Sequence, residues 1–498
     1  MKNIFAQLYK WFGAKTPAGE NKKEAEPFFM YLSVIIAFLT AFNSGLSLSW
    51  TSPVIPKFKT EENPFNHTVS TTQVAMLASF LPLGAVTGPI LAGWVADRYG
   101  RKFTMMLLAV PSIAGFCILA FAKMIELWYL ARFLLGIGVG CYFAICPMYV
   151  AEICQNHNRA KFGCLFGVFI TLGLFYPFSV GAHLILPLYA MTCNIPLVVF
   201  LIVFGMFMPE TPVFLLGKGR IKEAEDALVK LRKKKAIEVQ DEINEILTVV
   251  EKGSGQGQAG FKELWATAKK ALIICIGLVI IQEFSGIHPM MAYLKPIFLA
   301  SGTKISPDIS TIIFGLSQIT SNFITALIVE KIGRRVLYLI SALGCSVACG
   351  ILGAYFFLQT REIDLESVYW LPLTCMVAYM IFFSCGLGPL AWSIVGEIFP
   401  ANVKGIGSGC TVCISFTASF IVLMTFPIMS ERHTMTAPFW LYAIVACIGI
   451  FFIYFMVPET RGMTLAQIQE LLQKTDKKSK TVSKQTLNAS TESVTTYF

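Results

Sequence analysis

The chain has 498 residues, of which 55% are hydrophobic and 14% charged, and its mean hydropathy is +0.65. Soluble domains carry about 25% charged residues, so this composition excludes a cytosolic enzyme or a secreted domain and turns much of the apolar surface toward lipid. The formal net charge of +10 does not mark a nucleic-acid binder, because Lys and Arg gather near the N-terminus, in one central segment, in short loops and in the tail. Membrane proteins mark their cytoplasmic side in this way.

Residues 1–27 are polar and charged and read as a cytoplasmic N-terminal segment with no cleavable signal peptide. Crossing a bilayer takes about 20 apolar residues. Runs of that length lie near 28–50, 73–94, 103–123, 127–150, 162–184 and 186–208, giving an N-terminal six-helix bundle over 28–208. Residues 209–269 form a cytoplasmic linker, in which Ile221 to Lys234 and Val239 to Glu251 have the three-and-four apolar spacing of amphipathic surface helices. The Gly-rich stretch 253–260 is a flexible joint. Six further runs, near 271–299, 309–329, 336–358, 369–396, 405–428 and 437–457, make a C-terminal six-helix bundle over 270–458. Residues 459–498 form a cytoplasmic tail, polar and rich in Ser and Thr from Lys474 onward. The predicted class is an all-α membrane protein of twelve transmembrane helices in two halves.

The loops after spans 2, 4 and 8 are basic, which places them and both termini in the cytoplasm. The first outer loop then carries the acceptor sequon Asn66-His-Thr68, so Asn66 is a candidate glycosylation site. The 14 Cys fall almost entirely inside apolar runs, as buried thiols do. Even Cys410-Thr-Val-Cys413 reads as two small side chains one helical turn apart, and no metal site or cofactor is expected.

The halves repeat each other. Asp97-Arg-Tyr-Gly-Arg-Lys102 after span 2 answers Glu330-Lys-Ile-Gly-Arg-Arg335 after span 8. Glu152 with Arg159 answers Glu397 with Lys404, and Pro209-Glu-Thr211 answers Pro458-Glu-Thr-Arg461. A parallel duplication of six helices is the architecture of a transporter whose halves rock about a midplane site. Acids and bases at matched helix mouths suit a separable set of ion pairs, each worth about 0 to 1 kcal/mol when exposed. The expectation is that Asp97, Arg98, Arg101, Glu152, Arg159 and Glu210, with Glu330, Arg334, Arg335, Glu397, Lys404, Glu459 and Arg461, tie the cytoplasmic ends together when the protein opens outward. The competing reading is a topology signal alone, which requires no acids at matched positions.

With these residues the chain resembles the sugar porter branch of the major facilitator superfamily over about Phe28 to Leu471. Further matches are Arg132-Phe-Leu-Leu-Gly136, Pro147-Met-Tyr-Val-Ala-Glu-Ile153, Gln282-Glu-Phe-Ser-Gly-Ile287, Gly386-Leu-Gly-Pro-Leu-Ala-Trp392, Gly396-Glu-Ile-Phe-Pro400 and Pro458-Glu-Thr-Arg-Gly462. Trp50-Thr-Ser-Pro53 is similar to the insect trehalose and hexose transporter group. The resemblance implies the major facilitator fold, a cell-membrane carrier working as a monomer, and a small-molecule sugar or glycoside as its partner. It places Gln282, Gln318, Trp392 and Phe416 around the substrate, with Tyr293 as outer gate. Amides supply both donors and acceptors for hydroxyls without charge, and aromatic faces pack on sugar rings.

Several positions depart from the family pattern. Glu283 stands for a usual Gln, His288 for an Asn, Ser415-Phe416 for Asn-Trp, Ser384 for a frequent acid, Gly167 for a Gln and Val213 for an Arg. Glu283, His288 and Lys295 thus place three ionisable groups on span 7 near the expected cavity. The basic pair could receive an anionic glycoside, Glu283 could couple a proton to substrate, or Glu283 could pair internally and stiffen the span. Asn43 on span 1 replaces the Asp of proton-driven members and cannot titrate, which favours facilitated diffusion. A non-transporting sugar sensor is the alternative of another class. No nucleophile and base, metal cluster or phosphate loop suggests an enzyme.

Overall fold

The computed structural model describes residues 28–65, 67–155, 159–254, 261–400, 403–459 and 467, and at 159–161, 164, 249, 251–254, 326–331 and 397 it describes the backbone alone. Among these residues there are helices and turns and no strand. Spans 1 to 6 are Phe28–Ser49, Thr71–Tyr99, Arg101–Phe121, Ile125–Ile153, Arg159–Val180, and a pair of helices, Leu186–Thr192 with Ile195–Phe207. Spans 7 to 12 begin with Phe261–Phe284, continued by Ile287–Ala292 and Leu294–Ser301. Pro307–Ile332 and Arg334–Thr360 follow, then Leu371–Cys385 with Pro389–Ile398, Lys404–His433 and Thr436–Met456. Ten of these are long and apolar enough to cross a membrane, and the helices of spans 5 and 8, with 22 and 26 residues, complete the twelve.

Local chemistry accounts for the ends and the breaks. Ser70 and Gln73 form a reciprocal capping box at the start of span 2. Span 7 is interrupted at Gly286, which has φ +94° and packs so tightly on Tyr442 that a Cβ there would lie 2.3 Å from the ring. Only glycine meets both conditions. The third helix of span 7 starts after Tyr293. Span 10 is interrupted over Gly386-Leu-Gly388, where Pro389 restarts the helix.

The linker packs as a small layer under the first half. Its helices are Pro212–Gly217, Ile221–Arg232 and Gln240–Ser254, the first of which the sequence pattern did not reveal. Arg232 is buried, holds Glu242 through Nε and Nη2, and donates from Nη1 to Ile153 O at 2.8 Å, closing the end of span 4.

Between the halves, the hydrogen bonds and ring contacts of the described residues run from the sequon end to mid-span. They include Thr51 to Ala292, Ser52 to Lys295, Asn322 to Thr171 at 2.8 Å, Phe178 on Phe314 and Phe416 edge-on to Phe143. At the opposite, basic end, Gly163, Gly167, Gly396, Gly405 and Gly409 have open space beside them. Among the described residues, the contacts named between the halves thus gather from the sequon end to mid-span.

Candidate substrate site and gates

The breaks in spans 7 and 10 meet. Gln282, on the last turn before Gly286, donates from Nε2 to Gly388 O at 3.3 Å. Ser285 and Tyr379 share a hydroxyl contact at 3.0 Å, and Ser341 accepts from the Leu387 N–H. Tyr379 also donates to Ser285 O at 3.2 Å, so spans 7, 9 and 10 together meet part of the backbone at the two breaks, as non-helical chain at membrane depth requires.

Spans 7, 8, 10 and 11 of the second half carry buried polar atoms that are left over. Gln282 Oε1, Gln318 Oε1, Ser384 Oγ and Ser419 Oγ are buried and accept or donate no hydrogen bond. An unmet polar group in an apolar interior costs about 1–3 kcal/mol, so four of them mark a place where a hydroxylated ligand gains by binding. Ser384 and Ser419 are the residues that motif reading undervalued. Ser384 stood out as a departure from a frequent acid, and Ser419 only as a hydroxyl inside an apolar span.

Glu283 is buried beside the break in span 7. Its Oε1 accepts from Ser415 Oγ at 2.6 Å, and its Oε2 lies 2.8 Å from His288 Nε2. Lys295 is elsewhere: its Nζ sits 2.5 Å from Asp308 at the sequon end. The structure therefore separates His288 from Lys295 and gives each its own carboxylate. Tyr293 is buried, donates to Leu423 O at 3.1 Å and stacks on Phe426. Phe416 crosses into the apolar cluster of the first half, while Trp392 is half-buried on the second segment of span 10. Asn43 is buried and donates to Cys193 O at 3.4 Å.

Several of the repeated charges meet partners within their own half. Glu210 accepts the backbone N–H of Arg101, Lys102 and Thr211, and Glu459 accepts those of Arg334 and Arg335. A carboxylate is thus seated on the N-terminus of span 3 and another on that of span 9, where N–H groups and the helix dipole favour it. Gly100 makes room: with φ +102°, its added Cβ would lie 2.2 Å from Glu210 Oε2. Lys102 Nζ closes the carbonyl end of span 6 at Gly205 and Met208, and Arg335 does the same for span 12 at Tyr454. Arg101 pairs with Glu152 at 3.0 Å and with the exposed Asp97 at 3.8 Å. Arg98 lies over the Trp94 and Tyr99 rings, and Lys404 is exposed. Arg159, Glu330 and Glu397 are described by backbone alone, and Asn66 and Arg461 lie outside the described residues.

Among the described residues no group of three or more His, Cys, Asp or Glu could hold a metal ion, and the described cysteines are free thiols. A duplicated twelve-span bundle with broken spans lining unmet amide groups defines a secondary transporter of the major facilitator class. Residues 19–472 match the model of the family described as "Sugar (and other) transporter", and the chain belongs to that family. It is 30% identical over 474 residues to the facilitated trehalose transporter Tret1 of Bombyx mori, covering 94% of this chain and 92% of that one. It is also 30% identical over 450 residues to the Tret1 of Drosophila grimshawi, covering 89% of this chain but about half, 48%, of that longer protein. In fold it is similar to the inward open xylose transporter XylE from E. coli, with a TM-score of 0.74 and 22% identity over 89% of this chain and 99% of that one. It is a multi-pass membrane protein, and its relatives are transporters rather than enzymes.

Proposed function

We propose that the protein is a facilitative carrier of a sugar or glycoside, trehalose and hexoses foremost, that works by alternating access between its two halves. The observation that carries this is the set of buried, unbonded Gln282 Oε1, Gln318 Oε1, Ser384 Oγ and Ser419 Oγ on spans 7, 8, 10 and 11. Sugar hydroxyls, which both donate and accept, can answer each of those groups. In this reading Gln282, Glu283, His288, Gln318, Trp392 and Phe416 line the substrate path. Tyr293 and Lys295 belong to its outer end. The basic loops and both termini are cytoplasmic, Asn66 is glycosylated outside, and the carrier is a monomer of the cell membrane. The arrangement is then the inward-open state.

Coupling to protons is the second reading, and Glu283 is the group that could carry it. Its engagement by His288 and Ser415 favours a fixed internal pair, and Asn43 offers no proton site. Uptake of labelled trehalose and glucose in oocytes at two external pH values, with and without a protonophore, tests this. Indifference to both is expected. A pH dependence that disappears in Glu283→Gln would overturn facilitated diffusion in favour of coupling.

The same reading gives the repeated charges two tasks: holding each half's helix ends, and meeting across the cytoplasmic mouth when the protein opens outward. Charge reversal at Glu397 together with Lys404 should recover part of the transport lost in either single change. A double variant no better than the worse single would remove the second task.

A further inference from the structure

Span 7 has an unusual backbone problem at its sequon-end break, between the helices Ile287–Ala292 and Leu294–Ser301. The carbonyl of Ala292 would ordinarily accept from the residue four further on, but that residue is Pro296 and has no N–H. The N–H of Lys295 falls in the first turn of the new helix, where intrahelical acceptors are ordinarily missing. Among the described residues, the side chains that meet these two groups are not in the second half. Both partners come from the other half: Thr51 Oγ1 donates to Ala292 O at 3.0 Å, and Ser52 Oγ accepts from Lys295 N at 3.1 Å.

The two hydroxyls belong to the one-turn helix Thr51–Val54 that ends span 1. All four of its residues are buried. Pro53, Pro177, Phe178 and Thr311 line a small cleft beside Ser52 and Lys295, with the Lys295–Asp308 pair on its rim. An unmet backbone group that stays out of water costs several kcal/mol. Parting of the halves at this end must therefore admit water to the break at the moment the hydroxyls leave it.

We infer that Thr51 and Ser52 are gate-positioning residues: they cap, from the first half, the carbonyl and N–H that the break in span 7 leaves open, and so bias the carrier toward closure at its outer end. The inference rests on the alternating-access reading and adds to it a role for Trp50-Thr-Ser-Pro53. The hydroxyls touch no substrate. They act through the backbone of the segment that carries Tyr293.

The test is hydrogen–deuterium exchange of the full-length protein in lipid nanodiscs, which needs no substrate. Removing one such hydrogen bond should shift the open population about fivefold, so exchange across residues 293–298 should rise about 25-fold in Thr51→Val with Ser52→Ala. The basic-end segments of spans 5 and 10 should become more protected at the same time. Thr51→Ser with Ser52→Thr keeps both hydroxyls and should exchange like the wild type. Exchange within about twofold of wild type in the first variant would refute the clasp. A rise confined to residues 293–298, with no reciprocal protection at the basic end, would reduce the hydroxyls to local caps and equally overturn it. In cells, the half-saturation for trehalose entry should fall relative to that for exit. If exchange shifts as expected while no sugar moves, the clasp stands and the carrier reading fails.

Discussion

Glu210→Gln puts the seating of span 3 to the test. The carboxylate accepts three backbone N–H groups, from Arg101 at 3.0 Å, Lys102 at 3.0 Å and Thr211 at 2.9 Å, and its second oxygen also faces Lys102 N at 3.1 Å. Hydrogen bonds to a charged acceptor are worth about 1 kcal/mol more than neutral ones, so the amide forfeits about 3 kcal/mol over three bonds. Its NH2 group also turns a donor toward an N–H. For a unit the size of one half, each kcal/mol lowers the midpoint by about 2–4 °C, so a fall of about 6–12 °C is expected. Glu459→Gln, with two such N–H partners, should fall by about two thirds as much. The two changes lie in different halves and should add. The assay is the heating midpoint of purified protein in detergent, followed by loss of the monodisperse peak. A midpoint for Glu210→Gln within about 1 °C of wild type would refute the capping account. A stable variant with altered transport would favour charges that act only between the halves.

Other consequences follow from the same geometry. Glu283→Gln keeps one acceptor oxygen and places an NH2 donor at the other contact, where the Ser415 hydroxyl or a neutral His288 ring can accept it, and should leave the fold intact, whereas Glu283→Ala strands both and should cost about 3 kcal/mol, read as a lower thermal midpoint. Arg232→Gln breaks the contacts to Glu242 and to Ile153 O; limited trypsin digestion should then cut the linker at Lys233 to Lys235 faster than in wild type, and unchanged digestion would show that this anchor does not hold it. Asn66→Gln should remove a glycosidase-sensitive shift in mobility when the protein is expressed in insect cells.

Much of the architecture was legible because lipid imposes one demand on every span: about 20 apolar residues with all backbone groups satisfied. Apolar length alone located twelve segments, and matched Gly and charge positions announced the duplication. Span 7 was harder. Its composition read as one run over 271–299, whereas the chain folds it as three helices from Phe261 to Ser301. Gly286, Pro289 and Pro296 signalled breaks, but which backbone groups they orphan depends on Thr51 and Ser52, more than 200 residues away. The site divides in the same manner. Gln282 and Gln318 stood out as amides inside spans, yet the separation of His288 from Lys295 followed from Asp308, whose pairing no spacing reveals. The repeated acids were legible as a pattern, while their seating on the helix starts of spans 3 and 9 needed coordinates.

The most direct measurement is counterflow in proteoliposomes. Vesicles preloaded with unlabelled trehalose, glucose, fructose or a plant glucoside are diluted into the labelled compound. A carrier that alternates access should give a transient overshoot of label above its final level for at least one of these, with or without a pH gradient. Saturable binding with no overshoot for any of them would contradict the account and identify a sensor built on a carrier's fold.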